Sequence, residues 1–315
     1  MKHIILVGAC YLDTILTVPH FPEEDSKLRA TAVQVRRGGN CPNSLQVLQQ
    51  LVSAGPHKLR IALHLVSCLP DAHAAATRKI LTSFGGDGSD TAVDFSHCFY
   101  REGHEQAASS YIIRSGETGS RTIVNFNDLP EMSAGEFEKI VETFTDYGDE
   151  CWWHFEGRIP ETTLRCIRHI RQAMPGSTIS VEVEKPNREG LAELAAEADV
   201  VFYSRTWAES QGHAGPEACL RAEAASSRAS FMLCTWGALG AGALSLPSGE
   251  YIHHPATSSG ETISVVDTIG AGDTFIAGML YGLHVEAWSR DAKLAFAVGL
   301  ATRKVQREGF AGLVS

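Results

Sequence analysis

Val266-Asp267-Thr268-Ile269-Gly270-Ala271-Gly272-Asp273-Thr274-Phe275 puts an anion-binding turn at the start of a helix. Two glycines one residue apart let the backbone pass close to a bulky anion, because no Cβ obstructs the approach. An apolar pattern at helical spacing follows at once, with Phe275, Ile276, Met279, Leu280 and Leu283 on one face. Free N–H groups at a helix start, together with the positive end of its dipole, favour phosphate. Asp273 is the odd residue in that setting, because a carboxylate repels phosphate. It is either a helix N-cap, where aspartate is common, or a proton acceptor at the edge of the anion nest. The stretch alone leaves both open.

Outward from this turn, the chain has the make-up of a globular protein. Its 315 residues, 44% hydrophobic and 20% charged, suffice to bury a large core. That length predicts one big domain with a small appendage. A net charge of −10 argues against nucleic acid as a partner, which needs fields of Lys and Arg. A local nest of N–H groups can still hold ATP in an acidic protein. The N-terminus runs from Met1 directly into a short apolar strand pattern, too short for the apolar region of a signal peptide. No apolar run approaches the roughly 20 residues needed to span a membrane. The eight cysteines, at 10, 41, 68, 98, 151, 166, 219 and 234, include no Cys-x-x-Cys pair. They read as buried thiols in a reducing compartment, so a cytoplasmic protein without membrane partners is expected.

Short apolar runs at 4–8, 61–66, 151–155, 178–184, 199–203 and 230–234 predict buried parallel strands. Helical patterns such as 44–54 and 288–306 lie between them, and this alternation predicts an α/β sandwich. Three segments break the rhythm. Residues 28–35 alternate polar and apolar, and 109–114 and 121–126 flank the hairpin signal Ser115-Gly116-Glu117-Thr118-Gly119-Ser120. They predict a small separate β-sheet drawn from about residues 13–38 and 97–128.

Near the other end of the chain stands a second glycine motif, Arg37-Gly38-Gly39-Asn40-Cys41-Pro42-Asn43. A glycine pair permits a sharp turn beside a ligand, and Asn40 and Asn43 offer donors and acceptors for hydroxyls; an Asn-capped loop is the plainer alternative. The two motifs, in this order and at this separation, resemble the signatures of the ribokinase family of sugar kinases, also called the phosphofructokinase-B family. Arg121-Thr122-Ile123-Val124, His154-Phe155-Glu156-Gly157-Arg158, Val181-Glu182-Val183-Glu184-Lys185-Pro186 and Gly309-Phe310-Ala311-Gly312 point to its ketohexokinase branch. The resemblance extends over essentially the whole chain.

That resemblance implies a ribokinase-like three-layer α/β/α sandwich, with a mostly parallel central sheet and a small β-sheet lid, in one kinase domain over 1–315. It implies ATP-dependent phosphorylation of a ketose, fructose to fructose 1-phosphate first. A kinase for ribose, adenosine or another sugar is the alternative, and a non-catalytic sugar-binding sensor the remaining one. Asp273 becomes the general base, and the backbone of Gly270, Ala271 and Gly272 the anion hole. Asp13, Gly39, Asn40 and Asn43 match sugar-contacting positions. Thr235-Trp236-Gly237-Ala238-Leu239-Gly240 resembles the ATP-binding turn, with Gly237, Ala238, Leu239 and Gly240 beside the nucleotide, and Arg121 matches the arginine that reaches its phosphates. ATP and Mg²⁺ are the implied cofactors, with K⁺ as the candidate ion near Asp267, and a homodimer through the lid sheets is the implied assembly.

Some residues stand apart. Glu156 and Arg158 suggest an ordinary ion pair, and 181–184 a plain strand with one acidic face; either could help hold Mg²⁺ through water. The metal ligands are otherwise unassigned. His253-His254 reads as an exposed loop pair, and Trp152-Trp153 as core packing with one partly exposed ring. Ser204-Arg205-Thr206-Trp207 stands where many ribokinase relatives carry Asn-x-x-Glu, a motif the ketohexokinase branch also lacks. Pro42 would stiffen the sugar loop. Gly8-Ala9-Cys10-Tyr11-Leu12-Asp13 lacks the Gly-x-Gly-x-x-Gly of a nicotinamide dehydrogenase.

Overall fold

Residues 1–55, 60–85, 92–257, 263–285 and 287–314 are described by a computed structural model. Its strands are β1 (Lys2–Val7), β2 (Tyr11–Val18), β3 (Ala32–Gly38), β4 (Ile61–Val66), β5 (Cys68–Leu69), β6 (Val93–Asp94), β7 (Phe99–Tyr100), β8 (Ala108–Ser115) and β9 (Arg121–Phe126). They continue with β10 (Cys151–Phe155), β11 (Thr178–Val183), β12 (Val200–Tyr203), β13 (Phe231–Thr235), β14 (Ala241–Ser245) and β15 (Tyr251–His254). The helices are α1 (Asn40–Ala54), α2 (Ala75–Thr82), α3 (Ala134–Phe144), α4 (Pro160–Ala173), α5 (Leu191–Glu197), α6 (Arg205–Ser210), α7 (Pro216–Glu223), α8 (Ala271–His284) and α9 (Arg290–Val305).

The main sheet runs β15-β14-β13-β12-β11-β10-β1-β4-β6. It is parallel from β6 to β13 and antiparallel only in β14 and β15. Strands buried on both faces read as unbroken apolar runs, which is why the six strands expected from the sequence fall where they were expected. One face is covered by α1, α8 and α9, through residues such as Leu48, Met279 and Leu294. The other is covered by α3, α4, α5 and α7, through Phe137, Ile167, Leu194 and Leu220. The result is a three-layer α/β/α sandwich. α3 begins with a capping box in which Ser133 and Glu136 satisfy each other's backbone N–H groups.

A second sheet stands apart, in the order β3-β2-β8-β9. The first of its expected strands sits later than the alternation at 28–35 suggested: β3 spans Ala32–Gly38. The register puts Asp13, Ser110 and Asn125 in one row and Val35, Thr14, Tyr111 and Val124 in the next, on opposite faces.

Two expectations are corrected. α1 starts at Asn40 rather than four residues later, with Gly39 as its N-cap at φ 103°. Proline is tolerated in a helix's first turn, so Pro42 belongs to that turn and not to a loop. His253 and His254 lie on strand β15, not in a loop. Their Nε2 atoms lie 2.8 Å from the Leu239 carbonyl and 2.9 Å from Asp291 Oδ1, the second contact tying the antiparallel edge to α9. Trp153 is fully buried and Trp152 partly so, with its Nε1–H donated to Ser180 Oγ at 2.7 Å. Among the described residues no helix is long and apolar enough to cross a membrane.

Candidate active site

The polar face of the small sheet, the N-termini of α1 and α8 and the carboxyl ends of the central strands enclose a cavity of about 670 Å³. Open α/β sheets gather ligands at that end of their strands. Both helix starts depend on a glycine with positive φ. A Cβ on Gly39 would lie 2.1 Å from the Ala9 carbonyl oxygen, and one on Gly270 (φ 77°) would lie 2.2 Å from the Phe310 ring. Only glycine lets these turns approach so closely. A second, mostly apolar cavity of about 420 Å³ adjoins the first. Thr235, Thr268, Ala271, Gly272 and Phe275 line both.

Asp273 lies in the first turn of α8, almost wholly buried, and its Oδ2 accepts a hydrogen bond from Asn43 Nδ2 at 2.8 Å. Burial pushes its carboxyl well above the ordinary range, the charge of Glu182 adds to this, and the Asn43 hydrogen bond opposes it. The Ser44 hydroxyl donates to the Asp273 carbonyl at 3.0 Å, tying the starts of α1 and α8 together. Asn43 is held on its other side as well, where Arg37 Nη1 donates to Oδ1 at 3.4 Å.

Glu182 and Glu184 share one side of β11 and its extension, and Asn40 Nδ2 donates to both, at 2.7 and 2.9 Å. Sequence reasoning missed the chain behind them. His154 Nε2 lies 3.0 Å from Glu182 Oε1, and its Nδ1 lies 2.8 Å from Ser180 Oγ. Burial holds the imidazole down at about 3, so it is neutral. With the Nε2–H of the neutral His154 ring donated to the Glu182 carboxylate, Nδ1 accepts from the Ser180 hydroxyl, which in turn accepts from Trp152 Nε1. The available signal was a set of polar positions, 154, 180 and 182, inside strands expected to be buried. The ion pair expected between Glu156 and Arg158 gives way to other partners. Glu156 Oε2 accepts the Ala9 N–H at 2.9 Å, whereas Arg158 bonds Glu131 and the Tyr11 hydroxyl.

Asp13 faces the same cavity from β2, between Arg36 on β3 and Ser110 on β8, and burial raises its carboxyl. Gly38 leaves it room, since a Cβ there would meet Asp13 Oδ2 at 2.4 Å. Thus Asp13, Gly39, Asn40, Asn43, Asp273 and the Gly270-Ala271-Gly272 turn come together around one cavity. Arg121 and Asn125 reach its rim from β9. Gly237, Ala238 and Gly240 line the smaller cavity, whereas Leu239 is 60% exposed and lines neither.

Below the anion turn lies an unexpected cation. The ammonium of Lys304, fully buried on α9, donates to the Asp267 carbonyl and to its Oδ2, both at 3.1 Å. It also reaches the Arg307 carbonyl at 3.5 Å and sits over the Phe310 ring. Arg36 adds a second positive charge 3.5 Å from the same Oδ2. Against the upward push of burial, the Ile269 N–H and Lys304 keep the Asp267 carboxyl below its usual value. Oxygens that would ligate a potassium ion at Asp267 thus already serve a resident ammonium, and the residues here do not fit an exchangeable ion.

The pattern of the pfkB family of carbohydrate kinases matches residues 1–314. Ketohexokinase of Mus musculus is 32% identical over 99% of both chains. A fructokinase of Rhizobium leguminosarum bv. trifolii is 34% identical over 33% of this chain and 30% of its own. Thermotoga maritima ribokinase superposes with a TM-score of 0.76 at 16% identity, covering 100% of this chain and 96% of its own. Arabidopsis thaliana ribokinase, solved with ribose and ATP, superposes at 0.74 with 18% identity, covering 98% and 94%. The structural likenesses bear on the fold alone.

Proposed function

Since the chain belongs to the pfkB family of carbohydrate kinases, we propose that it transfers the γ-phosphoryl group of ATP to the 1-hydroxyl of a ketose, fructose first. The observation that carries this is the placing of Asp273 beside the Gly270 turn, in one cavity with Asp13 and Asn40. The whole-length likeness to a ketohexokinase directs the choice of sugar.

In this mechanism Asp13, Asn40, Asn43 and the Gly39 backbone orient the sugar so that its hydroxyl meets Asp273. Asp273 accepts the proton as the oxygen attacks the γ-phosphorus, the bond to the β-phosphate oxygen breaks, and ADP leaves. A base of this kind works best with its pKa raised toward the operating pH, as burial does here. The N–H groups of Gly270, Ala271 and Gly272 and the α8 dipole neutralise the migrating phosphoryl oxygens. Arg121 reaches the ATP phosphates, and the apolar cavity beside Gly237, Ala238 and Gly240 takes the base. Mg²⁺ prefers oxygen donors and keeps its waters, which suits the carboxylates of Glu156 and Glu184 on the cavity wall. Held there, it would supply charge neutralisation to the phosphates. The small sheet, within about 13–38 and 97–128 of a single kinase domain, acts as a lid that excludes water from the transfer.

The outer face of that sheet supports a homodimer as the working assembly. Val33 (66% exposed), Val35, Tyr111, Val124 (60%) and Phe126 present apolar surface to solvent, and such a patch ordinarily marks an interaction site. A cytoplasmic enzyme with sugar and ATP as partners completes the proposal.

The test is sugar-dependent ADP release with Mg-ATP, comparing fructose, other ketoses, ribose, adenosine and no acceptor. Fructose-dependent turnover, with phosphate on carbon 1 of the product, is expected. Turnover with ribose or adenosine only would move the substrate, and silence from a folded, ATP-binding protein would favour a sugar sensor.

A further inference from the structure

On the opposite flank of the main sheet, β4 and β6 pair His64 with Asp94 in register, and His97 follows three residues later. None of the three lines the kinase cavities. Asp94 Oδ1 accepts the Ser96 N–H at 2.8 Å, which turns Oδ2 toward both imidazoles. Oδ2 lies 3.2 Å from His64 Nδ1 and 3.7 Å from His97 Nε2, and the three donor atoms lie within 4.8 Å of one another. A hydrogen bond does not explain His97, because 3.7 Å is beyond its range.

Three donors converging at this separation suit a common ion. Zn–N and Zn–O bonds of about 2.0–2.2 Å in a tetrahedron put donor atoms roughly 3.3–3.6 Å apart. Neutral imidazole is the form that binds metal. The far nitrogen of His64 is already anchored, with Nε2 3.0 Å from Nδ1 of the buried His3. With Nδ1 on a metal, the His64 Nε2–H donates to His3, the outer hydrogen bond that metal-bound histidines ordinarily make. Phe144 packs against His3, His64 and His97 and dries one side of the group. The Asp94 side chain, 42% exposed, leaves the other side open for an ion and a water ligand.

We propose that His64, Asp94 and His97 form a binding site for a divalent cation of the Zn²⁺ class. Two nitrogens and one carboxylate oxygen favour such an ion over Mg²⁺, which demands oxygen. Bound there, it would strap the two-residue edge strand β6 to β4.

The test uses the full-length protein, stripped with chelator and titrated with ZnCl₂ in calorimetry and thermal melts, with excess MgCl₂ present to occupy the kinase carboxylates. One saturable equivalent of Zn²⁺ and a raised melting temperature are expected. His97→Gln and Asp94→Asn, both at partly exposed positions, should each weaken binding at least about tenfold. Absence of saturable binding in the wild type, or undiminished binding in both variants, overturns the proposal.

Discussion

Replacing Asn43 with alanine should move the pH dependence of turnover, by an amount the geometry bounds. The Asn43 amide donates to Asp273 Oδ2 at 2.8 Å in a buried setting. It opposes burial and the charges of Glu182, Glu184 and Glu156, which all push the Asp273 proton to stay. A hydrogen bond to a charged group is worth about 1.5–3 kcal/mol. At 1.36 kcal/mol per unit, its loss raises the Asp273 pKa by about 1–2 units. Only ionised Asp273 accepts the hydroxyl proton, so the acid limb of kcat/KM moves to higher pH by that amount. Turnover near neutrality then falls about 10-fold or more and recovers as pH rises. Arg37 keeps its bonds to Ser83 and Gln46 in the variant, so the helix start holds. The assay is ADP release with the accepted sugar across about pH 5.5–9.5, beside matched melting curves. An acid limb in the wild-type position, or one displaced to lower pH, would refute the coupling and leave Asn43 as a sugar contact only.

Asp273→Asn should keep the fold and ATP affinity yet lower kcat by roughly 100-fold or more; near-normal turnover removes Asp273 as the base. The raised carboxyls of Glu182, Glu156 and Asp273 stabilise the ligand-free fold below their ordinary values, and that contribution is lost as pH rises through the raised ones. The melting temperature should therefore decline on the alkaline side, less steeply in Glu182→Gln, and equal slopes would contradict this. With Lys304 in place, turnover should be the same in potassium and tetramethylammonium salts. Lys304→Ala should be slow and recover with ammonium or methylammonium, and a wild type that needs potassium would sink the idea. Val124→Glu should yield monomers in light scattering if the apolar sheet face joins two copies; an unchanged mass would rule that face out.

Much of the scaffold could be read before the structure because its signals are local. Parallel strands such as β1 and β12 are apolar runs, and the Gly270 turn is spelled out in consecutive residues. β14 and β15 could not be read this way. Ala241-Gly242-Ala243-Leu244-Ser245 lacks the β-branched residues of a strand, and it is extended because β13 pairs with it. The early start of α1 was hidden because Asn40-Cys41-Pro42 looks like a loop, whereas a proline in the first turn is no stop signal. Side chains facing the cavity were named from the sequence; the bond that ties His154 to Glu182 behind it was not. His154 and Glu182 are 28 positions apart and meet only through the pairing of β10 with β11. Lys304 looks like any cation in the last turn of a helix, and only the fold turns it inward.

That inward lysine changes what the chain depends on. An ion recruited from the medium has a concentration, and the structure it supports weakens when that concentration falls. The Lys304 ammonium has none, because it is tethered to α9. The cost of stripping its water is incurred once, as the chain folds. The turn above it should then be equally well ordered in a potassium-rich or a potassium-poor medium. Its vulnerability shifts from the composition of the medium to the gene, where a single codon at position 304 holds the charge.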